Sequence, residues 1–139
     1  DELRPLTPRG TAQVEGLGRW LRERVAPLDA VWHSPLTRTR QTATLMAREF
    51  GVLDRLTETP VMAPGMAAER LLAELAARPI ERVLCVGHQP DIGQAVSALL
   101  GGGRCEIPPG FCAALRFPTR LQMGSGQLLW VTDPNWFGA

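Results

Sequence analysis

Two short apolar runs, "LDAVWHS" at 28–34 and "RVLCVG" at 82–87, each lead straight into a stretch with helical periodicity. That alternation narrows the folds open to this chain more than any other feature. Strands alternating with helices pack as an α/β layered domain with a largely parallel sheet, because the helices bury their apolar stripes on the sheet faces. From Thr7, "TPRGTAQVEGLGRWLRERV" sets Val14, Leu17, Leu21 and Val25 on one stripe, with Thr7 placed to cap and Pro8 at the first helical position. "SPLTRTRQTATLMAREFG" predicts a second helix, with Ser34 as N-cap, Pro35 at N1, an apolar set of Leu45, Met46 and Phe50, and Gly51 as the stop. "AAERLLAELAAR" predicts a third helix and "PDIGQAVSALLGGG" a fourth that ends in glycines. "FCAALRFP" and "GQLLWVT" read as two more strands joined by a turn at "TRLQMGSG", near a sheet edge. The expected order is helix, strand, helix, helix, strand, helix, then two strands.

A chain of 139 residues can bury about two-thirds of its unfolded surface around one core. No repeat or long linker divides it, so residues 1–139 are expected to form a single domain. No apolar run approaches the roughly 20 residues that cross a bilayer, which gives membrane insertion no support. The net charge of +1 supplies no general basic field and so no case for a nucleic-acid partner. All 15 basic residues are Arg, a pattern that coding bias explains, although Arg also grips phosphate through a planar fork. Three cysteines without a C-x-x-C pair argue against a disulfide framework or structural zinc, and Cys85 reads as a buried small hydrophobe in its strand. With no apolar leader in "DELRPLTPRG", a reducing, cytoplasmic setting is the expectation.

In an open parallel sheet, ligands bind beyond the carboxyl ends of the strands. Two motifs fall there. "HSPLTRTRQTA" places Arg38 and Arg40 near the positive end of a helix dipole, where a cation is disfavoured by a few tenths to about 1 kcal/mol. Such a violation suits an anion site, yet a long Arg side chain also reaches solvent at little cost, and both readings of Arg38 stand. "VLCVGHQPDIG" puts His88 directly after a strand and Gly87, a good place for an imidazole that serves as acid, base or phosphate ligand, and equally for a helix-cap His with only local bonds. Asp91 complements the dipole of the following helix. Arg4, a few residues before the first helix, says little alone.

Taken together, "RPLTPRG", "SPLTRTRQTA" and "VGHQPDIG", in this order and spacing, resemble the SixA-type histidine phosphatases, and "PPGFCAALRFP" with "GQLLWVTDP" is similar to their last strands. The resemblance covers almost the whole chain. It implies a three-layer phosphoglycerate mutase-like sandwich with a mostly parallel central sheet. It also implies that a nucleophilic His, its neighbouring Arg, a second Arg and a second His surround a phosphoryl group. The Ser-Pro-x-x-Arg-x-x-Gln-Thr pattern selects Arg38 over Arg40, the Gly-His element selects His88, and Arg4 corresponds to a further phosphate-facing Arg. His33 is given no role beyond structure.

The sequence departs from the family in one respect: Arg-His-Gly, which carries the nucleophile, does not occur in it. The expectation is that this motif and its strand lie upstream of Asp1, making the domain N-terminally incomplete and lacking the family's first strand. The implied reaction is a two-step hydrolysis through a phosphohistidine enzyme, without metal or other cofactor, with Arg38 and His88 catalytic and Arg4, Arg38 and His88 binding substrate. Residues 58–72 offer only Glu58 and Glu69 as acids for an alkoxide leaving group. A phosphorylated His-containing signalling domain of a bacterial cytoplasm is therefore the expected partner. A small phosphorylated metabolite, hydrolysed with Glu58 or Glu69 as acid, and a non-catalytic phosphate-binding module are the alternatives.

Overall fold

Thr7 does cap the first helix. In the computed structural model, which describes residues 3–138, its side chain accepts the Gly10 N–H at 3.0 Å, and Pro8 opens helix α1 (Pro8–Arg24). The expectations concerning what precedes Asp1 lie outside the described residues. Strand β1 (Ala30–His33), helix α2 (Thr37–Glu49), strand β2 (Leu56–Glu58) and helix α3 (Ala68–Ala76) follow. Strand β3 (Val83–Val86), helix α4 (Asp91–Leu100) and strands β4 (Cys112–Arg116) and β5 (Gln127–Thr132) complete the order.

β1 lies at the centre of a parallel three-stranded sheet of order β2-β1-β3, its His33 in register with Glu58 on one side and Val86 on the other. The three carboxyl ends are therefore level. Because side chains alternate along a strand, Val31 faces Ala43 and Ala47 of α2, while Ala30 and Trp32 face Leu71 of α3 together with Val61 and Met62. Helices thus cover both faces, the α/β arrangement with a mostly parallel sheet that the alternation predicts. Asp29 fixes the amino end of the pairing by accepting the N–H groups of Glu81 and Arg82, each at 2.9 Å, and these bonds hold its carboxyl below the ordinary range. Gly93 has no Cβ to separate α4 from the carbonyl of Cys105; one built there would lie 2.4 Å from that backbone oxygen, which cannot yield.

β4 and β5 form a separate antiparallel ribbon that extends both layers. Cys112 and Trp130 pack toward Leu17 and Leu21 of α1, whereas Leu115 and Phe117 pack toward Leu72, Ala95 and Leu99.

The structure corrects four expectations. β2 was not anticipated, because three residues are too few to display a two-residue period. The last two strands pair with each other as their own sheet rather than at the edge of the first. α2 begins at Thr37 with Leu36 as N-cap, so Ser34 and Pro35 lie in the loop before it. β3, although wholly apolar, is only half-buried, Cys85 included. Among the described residues β3 pairs only with β1 and β4 only with β5, which leaves one ladder edge of each strand open.

Candidate functional site

The β1 ladder continues one residue past His33, the Ser34 N–H donating to Val86 O at 3.3 Å. This places Ser34 beside the exit of β3, where the chain passes through Gly87 to His88. The Ser34 hydroxyl lies 2.5 Å from His88 Nε2 and 2.6 Å from Thr39 Oγ1 in the first turn of α2. It is engaged across the sheet edge instead of capping its own helix, which is why Leu36 takes the cap position. Leu36 has no side-chain acceptor, and no side chain caps α2. A helix start without a capping acceptor is a ready anion site, since its N–H groups and dipole favour negative charge.

Arg38 occupies the second position of that helix and is half-buried. It lies close enough to His88 for its charge to act there. The His88 pKa is lowered below the usual value near 6.5, chiefly by burial and next by the Arg38 charge, with Asp91 opposing. Both causes favour the neutral ring. Removing the like charge should relieve part of this depression, so Arg38→Ala is expected to raise the His88 pKa toward its ordinary value. NMR titration of the ring checks the sign, and a further fall would mean that Arg38 does not face His88.

Arg40 points elsewhere. Its Nη2 donates to Glu58 Oε1 at 2.7 Å, forming an exposed ion pair at the carboxyl end of β2. Glu69 is exposed in the first turn of α3. Asp91 adds a tie to its dipole role: its carboxylate accepts the Gly65 N–H at 2.7 Å and anchors the start of α4. Arg4 is exposed, two residues before Leu6, whose N–H donates to Gln41 Oε1 at 2.7 Å and so fixes that segment to the helix bearing Arg38. His33 is buried, and its Nδ1–H donates to Ser34 O at 2.7 Å, a structural bond. Among the described residues, no three His, Cys, Asp or Glu side chains are grouped to hold a metal ion.

Of the anticipated site residues, the structure brings Arg38 and His88 together and anchors the Arg4 segment on the same helix. Ser34 and Thr39 were not anticipated. Ser34 looked like a capping residue, and nothing local to either one announces a partner 54 positions along the chain. A serine beside a histidine suggests a nucleophile, but Ser34 has 0% exposure and cannot meet a substrate.

A level sheet edge carrying an Arg and an imidazole at an uncapped helix start is an arrangement suited to an anion. The comparisons with known proteins agree. Residues 4–62 match the histidine phosphatase superfamily (branch 1). An uncharacterized protein of Mycobacterium tuberculosis is 35% identical over 129 residues, covering 86% of this chain and 73% of the relative. Phosphohistidine phosphatase SixA of Escherichia coli is 27% identical over 139 residues, covering 96% of this chain and 84% of SixA. The structure of the protein histidine phosphatase SixA complexed with tungstate superimposes with a TM-score of 0.85 at 23% identity, over 97% of this chain and 87% of that one. The chain belongs to the histidine phosphatase superfamily, and its similarity lies with the SixA-type members. Among the described residues, no helix is long and apolar enough to cross a membrane.

Proposed function

We propose that this domain hydrolyses phosphohistidine on a cytoplasmic signalling protein, through a phosphohistidine enzyme intermediate, with Arg38, Arg4 and His88 around the phosphoryl group. The observation that carries the reading is the meeting of Arg38 and His88 at the uncapped start of α2. In the first step a histidine nitrogen attacks phosphorus and the substrate imidazole leaves; in the second, water hydrolyses the enzyme-bound phosphohistidine. Preorganised positive and N–H groups favour the charge that develops on the equatorial oxygens. An imidazole leaves without the strong protonation that an alkoxide needs, and Glu58 is already committed to Arg40, which favours phosphohistidine over a phosphomonoester.

The nucleophile in this reading comes on a strand with Arg-His-Gly at its carboxyl end, inserted between the open edges of β3 and β4. Neither histidine of the sequence fills that role. His33 is 3% exposed with Nδ1 bonded, and His88 is bound to Ser34. A strand paired there would bury β3 on both sides, as its apolar sequence suits.

The test compares the 139-residue chain with the same chain carrying an upstream strand that ends in Arg-His-Gly, each assayed on a phosphorylated His-containing domain and on a panel of phosphosugars. Phosphate release is expected only with the strand, from the phosphohistidine domain, and unaffected by chelator. Robust turnover by the 139-residue chain would overturn the assignment of the nucleophile. Preference for phosphosugars, abolished by Glu58→Gln, would indicate a phosphomonoesterase. Vanadate binding without turnover in both proteins would indicate a phosphate-binding module.

A further inference from the structure

The hydroxyls of Ser34 and Thr39 form a chain whose direction is determined by the groups at its far end. Thr39 Oγ1 has one proton and three oxygen neighbours: Leu36 O at 2.9 Å, Ser34 O at 3.2 Å and Ser34 Oγ at 2.6 Å. The first two are carbonyls, which only accept. The Thr39 proton is best used between its oxygen and a carbonyl, since otherwise two acceptor oxygens would face a lone pair at hydrogen-bond distance. Thr39 Oγ1 then accepts from Ser34. Ser34 has a single proton and spends it there. Its remaining contacts are the Leu36 N–H at 3.3 Å, a donor, and His88 Nε2 at 2.5 Å, so its two lone pairs must accept from both. In this arrangement every member is satisfied, and bonds in such a buried chain strengthen one another.

We infer that Ser34 and Thr39 are positioning residues that hold His88 in the Nε2–H tautomer, which leaves Nδ1 as the ring nitrogen that exchanges a proton with a bound phosphoryl group. The consequence for catalysis rests on the phosphatase reading; the tautomer itself does not. The polarity runs from His88 Nε2–H to Ser34 Oγ–H to Thr39 Oγ1–H to a carbonyl of the α2 start. The charged groups facing the ring, Arg38 from α2 and Asp91 from α4, alter how readily Nδ1 takes a proton, while the hydroxyl chain decides which nitrogen is already occupied. Both hydroxyls are buried, Thr39 with 5% and Ser34 with 0% exposure, so water does not substitute for either.

The experiment is long-range ¹⁵N–¹H correlation NMR on the ligand-free protein above the His88 pKa. The sequence has two histidines, and His88→Gln identifies the ring by loss of its signals. The expected wild-type spectrum shows His88 predominantly protonated at Nε2. Thr39→Val keeps the shape and removes the acceptor of the Ser34 proton, so that proton turns to Nε2 and the ring changes to predominantly Nδ1–H. Thr39→Ser, which keeps the hydroxyl, should retain the wild-type tautomer, and the amide spectrum reports whether each variant is folded. A wild-type ring protonated at Nδ1, or a folded Thr39→Val with an unchanged ring, would overturn the inference. Because no substrate or ligand is present, failure of the phosphatase reading leaves this result unaffected.

Discussion

In the chain carrying an upstream Arg-His-Gly strand, Arg38→Ala is expected to slow phosphoryl transfer by about 10² to 10³-fold, the usual loss for one preorganised donor, and to weaken vanadate binding sharply. Arg40→Ala should change either quantity little. The two residues are two positions apart on α2 and so point about 200° apart around its axis, where they cannot serve one phosphate. The structure gives each side chain a different neighbourhood: Arg38 is half-buried and acts on His88, whereas Arg40 is bonded to Glu58 at an exposed site. Losing that surface pair typically costs about 0.2–1 kcal/mol of stability, too little to disturb the fold. Titration calorimetry with vanadate, alongside turnover of a phosphorylated His-containing domain, separates the variants. Equal losses, or a larger loss at Arg40, would reject the register that assigns Arg38 to the phosphate. A parallel expectation concerns pH. An anion beside His88 raises the ring's pKa, so affinity gained through the imidazolium is full below the free-state pKa and fades as pH rises through the bound-state value.

Trp32→Ala is expected to lower the unfolding free energy by about 3–5 kcal/mol, which is a large part of the 5–15 kcal/mol typical of a whole domain. Trp32 is 3% exposed and packs among Val61, Met62 and Leu71, with the Arg78 guanidinium 5.6 Å from its ring centroid. Truncation to Ala leaves a cavity between the sheet and α3 that a parallel strand, tied on both sides, has little freedom to close. Ser34 directly follows the same strand, two residues on from Trp32, so the site should loosen with the core. Trp32→Phe, which retains most of the apolar volume, should cost markedly less. Denaturant unfolding followed by far-UV circular dichroism measures both. A loss below about 1 kcal/mol in Trp32→Ala would mean that the α3 face of β1 is not a packed core.

Much of this architecture is local in origin. A residue such as Thr7 before Pro8 stops or starts a helix through bonds to groups three residues away, and the stripe of Leu17 and Leu21 follows from the helical period. The same applies to Gly101, whose φ of 106° ends α4 at little strain. Such features depend on near neighbours, and the sequence displays near neighbours directly. The runs that form β1 and β3, each leading into a helix, were likewise enough to indicate a layered α/β domain and to place two motifs at one sheet edge.

By itself, then, the sequence determined the helices, the parallel strands β1 and β3, the class of fold and the candidates Arg38 and His88. Only the tertiary structure decided how those candidates are set. Strand pairing across more than fifty residues brought Ser34 to His88, withdrew it from capping α2 and left that helix start open to an anion, while β2 gave Arg40 its own carboxylate. The physical reason is that a hydroxyl, an imidazole or a guanidinium carries no directional preference along the chain. Its partner is whichever donor or acceptor the packed strands bring within about 3 Å, and that choice is made only when the sheet forms.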